Sequence, residues 1–276
     1  MGSVSFLLQI LGWCHDLDIR EVTVYAFSIE NFKRPEEEVN GLLSLAREKF
    51  AKLLAERFVA NQMSLSNTYF LPTKIREKLT ENGVCIRIFG ETSMLPIELQ
   101  KLLAETVLAT RSNTKAFLNV CFAYTSRAEM TSAVSDIVSA SDDGVIHETD
   151  VTADLLRNCL WGCESDDPDL LIRTSGESRL SDFILWQSGY SVIAFVQKLW
   201  PEFTIWDLFK AVFFYQRHQQ DVTHAMHQYR HRQAEVQHIR DSEACRSRRE
   251  ATVQRIKAER LKQLQQLVKD VAVECG

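Results

Sequence analysis

No stretch of this 276-residue chain reaches the roughly 18 consecutive apolar residues that a membrane-spanning helix needs, so none is expected. The chain has no Gly-x-Ser-x-Gly, no phosphate-loop lysine motif and no histidine-rich cluster. Those absences argue against a phosphate-binding α/β hydrolase of a common type. Its seven cysteines form no dense framework, which fits a reducing compartment. Cys85 and Cys121 sit in apolar runs and read as small buried hydrophobes. Cys159 and Cys163 are four apart but have no further ligand-type neighbours, so they do not read as a metal site. The apolar patch from Val4 to Leu11 has no basic residues before it and makes a poor leader. Phe6 stands where a myristoylation signal needs Ser or Thr.

What is present is ordinary for a globular α/β protein. Hydrophobic content of 45% permits a sizeable core. Phe6, Leu7, Ile10, Leu11 and Cys14 recur at helical spacing, so the chain opens in a helix. Apolar runs at 22–27, 84–90, 117–123, 169–172 and 191–196 read as strands. Helical patterns follow at 35–54, 96–110, 126–139, 151–159 and from Trp206. Within them, Ser126 and Glu129 form a candidate capping box. Residues 58–73 read as a loop, and Ser181 to Gln187 as a short helix. Strands alternating with helices predict a mostly parallel central sheet flanked by helices. The expected division is a domain over residues 1–217 and a long C-terminal helical, polar tail over 218–276. The tail lacks proline, and its only glycine is terminal. Ile256, Leu261, Leu264, Leu267 and Val268 give it one docking stripe. Its bases are interleaved with acids, without an aromatic stacking set, so no nucleic-acid partner is expected.

The most informative segment follows the apolar run Leu170-Leu171-Ile172. Arg173-Thr174-Ser175-Gly176-Glu177, with Ser178, Arg179 and Ser181, packs two guanidiniums, four hydroxyls and a glycine into nine residues. A buried strand opening into such a segment reads as an anion site at the carboxyl end of a sheet. Arginine matches phosphate oxygens with a planar fork. Gly176 is expected to let the backbone approach closely and to help turn N–H groups inward. Glu177 either braces one arginine or lies on the surface. A second segment, Tyr25-Ala26-Phe27-Ser28-Ile29-Glu30-Asn31-Phe32-Lys33-Arg34-Pro35, joins a strand to a helix. On residue type alone, Ser28 and Asn31 read as caps of that turn.

Together these segments, with Pro168 to Gln187 read in full and Leu199-Trp200-Pro201-Glu202-Phe203 downstream, resemble the cis-prenyltransferase family. That family comprises the undecaprenyl and dehydrodolichyl diphosphate synthases, and the likeness is greatest to the eukaryotic dehydrodolichyl branch. It runs from the N-terminus to about Arg217. The resemblance implies repeated condensation of isopentenyl diphosphate onto an allylic diphosphate such as farnesyl diphosphate, each new double bond being cis. It implies magnesium as cofactor and a product that leads to dolichol. It also implies a peripheral location on the cytosolic face of the endoplasmic reticulum membrane. Carried over by position, Arg173, Arg179 and Ser181 bind the isopentenyl diphosphate head group. Arg34 contacts the allylic diphosphate, and Ser28 and Asn31 lie near the reacting groups. Phe27, Phe32 and Phe183 either line a prenyl tunnel or pack in the core.

The chain departs from the family pattern in three places. The Met-Asp-Gly-Asn-Arg-Arg signature, whose Asp is the metal-binding carboxylate, is absent, and the chain reads as beginning just after it. No metal ligand is therefore assigned. Residues 57–75 read as an insertion. Val192 stands where single-subunit relatives carry a Glu, and no Arg-x-Gly occurs in the tail. That pattern resembles the arrangement in which a Nogo-B-receptor-like subunit completes the site, with an interface expected over Trp186 to Phe214. The alternative expectation is a non-catalytic subunit that binds diphosphate or the partner without turnover.

Overall fold

The computed structural model describes residues 2–61, 83–238 and 242–274. They divide into two compact units, Met1–Tyr124 with Glu259–Gly276, and Thr125–Ala258.

The first unit opens with helix α1 (Gly2–Asp16), then strand β1 (Glu21–Ser28) and a 3-10 turn over Ile29–Lys33. Helix α2 (Glu36–Asn61), strand β2 (Val84–Phe89), helix α3 (Ile97–Thr110) and strand β3 (Ala116–Tyr124) follow. The sheet order is β1-β3-β2, with both pairings parallel, as the alternation of strands and helices predicts. Pro35 stands just before α2, and its carbonyl accepts the N–H groups of Glu38 and Val39. Glu36, Glu37 and Glu38 then occupy the first turn, where the helix dipole favours carboxylates. The first residues of the loop expected over 58–73 are helical instead, since α2 runs through Asn61. No glycine or proline falls between Leu42 and Asn61. The remainder of the 57–75 stretch lies outside the described residues.

One face of this sheet is apolar. Phe27, Leu118, Val120 and Phe122 meet Val39, Leu43 and Phe50 from α2, and Leu99 and Leu103 from α3. Phe27 stacks on Phe122 at 5.4 Å, and Phe32 meets the edge of Phe27 at 5.0 Å. Phe27 is buried and Phe32 half-buried, so both serve as core packing. Elsewhere the strands place polar side chains together. Buried Asn119 donates from Nδ2 to Glu21 Oε1 at 2.7 Å and to Thr23 Oγ1 at 3.0 Å. Arg87 reaches the same Glu21 oxygen at 3.2 Å while its guanidinium lies 4.3 Å from the Phe117 ring centroid. Nothing in the apolar reading of these strands anticipated that group. Cys14, Cys85 and Cys121 are buried cysteines, and burial pushes the Cys14 thiol up to about 11.

The second unit contains helices α4 (Ser126–Asp142) and α5 (Ala153–Cys159), then strands β4 (Leu170–Arg173) and β5 (Val192–Phe195), paired in parallel. Helix α6 (Ile205–His238) runs through Arg217 without interruption, and helix α7 begins at Glu243 and extends to Glu274. The tail is thus two helices rather than one. Ile256 from α7 is buried among Ala133, Ile137, Leu155 and Leu160, with Val253 packed alongside. Of the stripe that the sequence pattern suggests, Ile256 is the residue this cluster buries.

A charge pair fixes the same contact. Arg248 donates from Nε and Nη2 to the two oxygens of Asp150, at 2.7 and 2.9 Å. Asp150 is fully buried, and the His147 N–H also donates to it at 2.9 Å. The Arg248 hydrogen bonds, helped by that N–H, hold the Asp150 carboxyl well below the usual carboxylate range against the opposing effect of burial. A carboxylate whose folded pKa is depressed stabilises the fold above its unfolded value, near 4. That contribution disappears as pH falls from there toward the folded value. Urea unfolding of the wild type should therefore show a falling midpoint below about pH 4, and Asp150→Asn should flatten that dependence. At pH 7 the substitution should cost about 2 kcal/mol, at the low end for a buried charged pair because the partner keeps a route to water. Arg248 is 30% exposed. Equal wild-type and variant midpoints at both pH values would sink this assignment.

Candidate anion-binding site

Arg173 is the last residue of β4, opposite Phe195 of β5. Beyond it the backbone stays tied to the chain leaving β5. Ser175 N–H donates to the Lys198 carbonyl at 2.7 Å and Gly176 N–H to the Val196 carbonyl at 3.0 Å. The expectation that Gly176 helps turn amides toward a ligand is therefore corrected, since both N–H groups are engaged by the neighbouring backbone. Gly176 has φ +68°, and a Cβ there would come within 2.8 Å of Gln197 Oε1. What this strand end presents is side chains. Arg173 Nη2 lies 3.4 Å from Ser181 Oγ. Arg173 Nε is buried and has no hydrogen-bond partner among the described residues. A buried guanidinium N–H without an acceptor is costly unless a ligand or water completes it. Arg179 is 71% exposed and pairs with Glu177 at 3.0 Å, so Glu177 does brace an arginine.

Lys198, beside Ser175, is neutralised otherwise. Its Nζ lies 2.7 Å from Asp207 Oδ2, which also accepts from the Thr204 N–H and hydroxyl. The Lys198 hydrogen bond, followed by that of the Thr204 hydroxyl, holds the Asp207 carboxyl well below the usual range. Asp207, in the first turn of α6, thereby takes up both the N–H and the hydroxyl of Thr204 just before the helix. Val192 is buried in β5 opposite Leu170.

The segment after Ser181 is not the short helix expected for 181–187. It is a series of turns ending in a 3-10 turn, Gln187–Tyr190. Phe183 is half-buried within it. Ser181, Asp182 and Ile184 have φ of 51°, 60° and 36°, a region that L side chains rarely occupy. The capping expectation for α4 is corrected too. Thr125 is its N-cap, accepting from the Ala128 N–H. Ser126 and Glu129 instead face the 182–187 segment. Ser126 Oγ accepts the Leu185 N–H at 2.7 Å, and Glu129 accepts from Gln187 Nε2 and the Gly162 N–H. Sequence reasoning named these two residues but gave them the wrong partners.

Ser28, Asn31 and Arg34 belong to the other unit. Ser28 Oγ accepts the Glu30 N–H at 3.2 Å, and Asn31 Oδ1 accepts the Ser28 N–H at 2.9 Å. These two residues do form the cap that residue type suggests. Arg34 Nη1 meets Glu38 Oε1 at 2.5 Å in an exposed pair one helical turn apart. The structure thus joins Arg173 with Ser181, Arg179 with Glu177, and Ser28 with Asn31.

The donor set at the strand end is cationic and hydroxylic. Among the described residues no group of three or more His, Cys, Asp or Glu side chains comes together to hold a metal ion. Magnesium takes carboxylate and phosphate oxygens in an octahedral shell. These residues do not fit a protein-held magnesium site.

A parallel α/β scaffold with guanidiniums and a hydroxyl at a strand end has the chemistry that phosphate recognition requires. The family model described as "Putative undecaprenyl diphosphate synthase" matches residues 2–234, and the chain belongs to that prenyltransferase family. It is 48% identical over 210 residues to the human dehydrodolichyl diphosphate synthase complex subunit DHDDS. That match covers 76% of this chain and 57% of the relative, so the chain spans little more than half the length of the human protein. It is 37% identical to the tritrans,polycis-undecaprenyl-diphosphate synthase (geranylgeranyl-diphosphate specific) of Thermoplasma volcanium, covering 76% of this chain and 74% of the relative. Among solved structures, lavandulyl diphosphate synthase from Lavandula x intermedia, in complex with dimethylallyl diphosphate, superposes with a TM-score of 0.65 at 25% identity. That alignment covers 77% of this chain and 82% of the lavender chain.

Proposed function

We propose that this chain is a catalytic-type cis-prenyltransferase subunit that condenses isopentenyl diphosphate onto an allylic diphosphate such as farnesyl diphosphate, toward the polyprenyl diphosphate of dolichol synthesis. The observation that carries the reading is the strand-end group of Arg173, Ser181 and Arg179. Arg173 and Ser181 would grip one phosphate of isopentenyl diphosphate, with Arg179 closing over the other. The Arg179–Glu177 pair is exposed, and such pairs contribute about 0–1 kcal/mol, so a diphosphate displaces the carboxylate readily. Arg34 would serve the allylic diphosphate in the same way, exchanging Glu38 for phosphate oxygens. Ser28 and Asn31 would sit at the end of β1 beside the reacting carbons, held by their mutual cap. In the reaction the allylic C–O bond breaks and diphosphate leaves with the electron pair. The freed carbon bonds to the terminal alkene carbon of isopentenyl diphosphate, and a proton is lost to leave the new cis double bond. Fixing each diphosphate would remove part of the entropic cost of the reaction.

Magnesium dependence and a peripheral place on the cytosolic face of the endoplasmic reticulum membrane belong to the same proposal. So does a Nogo-B-receptor-like partner subunit. The partner surface is supported by exposed apolar side chains in the second unit. Trp186, Tyr190, Phe195, Leu199, Trp206 and Phe213 are each more than a third exposed, and Trp206 and Phe213 reach 69%. Exposed aromatics of this size mark protein contact surfaces. Phe213→Asp should weaken capture of the partner by about tenfold or more in a pull-down titration, since interface aromatics carry much of the binding energy. Inorganic pyrophosphate binding by the chain should be unaffected. Unchanged capture would remove this surface from the interface.

The function is tested by incorporation of labelled isopentenyl diphosphate into long polyprenols by this chain with its partner. Incorporation that depends on Arg173 supports the proposal. Binding of isopentenyl diphosphate without any product would instead assign the chain the non-catalytic role.

A further inference from the structure

Three residues in four, Ser181, Asp182 and Ile184, hold positive φ without being glycine. Conformations of this kind persist only where the surroundings over-determine them. The surroundings here are the first turn of α4. Ser126 N–H donates to the Asp182 carbonyl at 2.8 Å. Arg127 donates to the Asp182 carboxylate twice, from its N–H at 3.2 Å and from Nε at 2.8 Å. Ser126 Oγ takes the Leu185 N–H, and Glu129 holds Gln187 at 3.0 Å. Every second or third residue from Asp182 to Gln187 is therefore fastened to one helical turn. Asp182 has only 14% of its side chain exposed, whereas the Arg127 side chain is 72% exposed. The carboxylate is the fixed member of that pair and the guanidinium folds onto it. Immediately before the fastened stretch stands Ser181, whose hydroxyl meets Arg173.

We infer that Asp182 is a positioning residue for the diphosphate grip, locking the 181–184 turn onto the first turn of α4 so that Ser181 faces Arg173 before any ligand arrives. The inference rests on the proposed reading of Arg173 and Ser181 as a diphosphate site. Two features of Asp182 serve the role. Its short polar side chain tolerates the left-handed backbone better than most. Its carboxylate also satisfies a helix N-terminus, where negative charge is favoured. Without the clamp the turn would sample other conformations. Part of the binding free energy would then go into reordering it.

The experiment is calorimetric titration of the whole chain with inorganic pyrophosphate, alongside thermal melting. Asp182→Gly removes the carboxylate while suiting φ of 60°. It should weaken pyrophosphate binding by about tenfold at a nearly unchanged melting midpoint. Asp182→Asn keeps an oxygen for the Arg127 N–H and should recover most of the affinity. Rescue by Asn is the outcome that a purely structural role does not give, because that role would move melting and affinity together. Wild-type affinity in Asp182→Gly overturns the positioning role and leaves the site reading standing. Wild-type affinity in Arg173→Ala, or no pyrophosphate binding by the wild type, overturns the site reading and the inference with it. Should Asp182→Gly fail to fold, Ser126→Ala replaces it, read by hydrogen exchange at the Leu185 amide together with the titration. Faster exchange with weaker binding supports the clamp, and faster exchange with unchanged binding overturns it.

Discussion

Replacing Arg173 with alanine should raise the KM for isopentenyl diphosphate by about 100-fold or more in the assembled enzyme. The guanidinium offers charge-assisted hydrogen bonds, each contributing about 1.5–3 kcal/mol. Loss of two of them exceeds the roughly 1.4 kcal/mol that makes a factor of ten. The effect should fall on KM more than on kcat, because the homoallylic diphosphate keeps its charge through the reaction and is held equally in ground and transition states. Arg173→Lys should recover only part of the loss, since an ammonium restores charge without the planar fork. The same substitutions should leave the melting midpoint unchanged or higher. Arg173 Nε is buried without a partner, so removing it relieves an unsatisfied donor. Activity lost while stability is kept or gained separates a binding residue from a structural one. An unchanged KM in Arg173→Ala, measured by labelled isopentenyl diphosphate incorporation, would defeat the site assignment.

Gly90→Ala should be the most damaging single change in the first unit. Gly90, just after β2, has φ +150°, and a Cβ there would lie 1.9 Å from the Phe122 carbonyl oxygen and 2.9 Å from that of Ala123. Both obstacles are backbone of β3, the central strand, so no side chain can turn aside to make room. Ala123 itself already holds φ 51°, and its carbonyl accepts the Glu91 N–H at 2.9 Å. Relief would have to come from separating the ends of two paired strands. The cost should exceed about 3 kcal/mol, combining a strained φ with overpacking. Chemical denaturation of Gly90→Ala checks it, and a loss below about 1 kcal/mol would contradict the close approach.

The elements that local pattern dictates were legible. β1, β3, β4 and β5 begin and end within a residue or two of their apolar runs, because buried strands carry their signal in their own composition. Ser28 and Asn31 were legible as caps for the same reason, since both partners lie within three residues. Arg173 stood out by residue type and by its place after an apolar run. What escaped depended on residues distant in sequence. The stretch Ser181 to Gln187 has a composition that a helix accepts, but its backbone is set by Ser126, Arg127 and Glu129, more than 50 positions earlier. Tertiary hydrogen bonds overrode the propensity. The direction of the Ser175 and Gly176 amides depended likewise on the register between β4 and β5. No single-segment reading contains that register.

The polar row of Glu21, Thr23, Asn119 and Arg87 decides something that hydrophobicity leaves open. Sliding β1 along β3 by two residues returns every apolar side chain to its own face, so burial alone barely distinguishes the slipped sheet from the native one. The hydrogen bonds do distinguish them. In the native alignment Thr23 stands opposite Asn119, and Arg87 stands opposite it from the other side, with Glu21 within reach of both. A slip parts the carboxylate from the guanidinium and takes an acceptor from a buried amide, at about 1–3 kcal/mol for each group stranded. Four side chains therefore act as an alignment key, admitting one pairing of strands that are otherwise nearly interchangeable along their length.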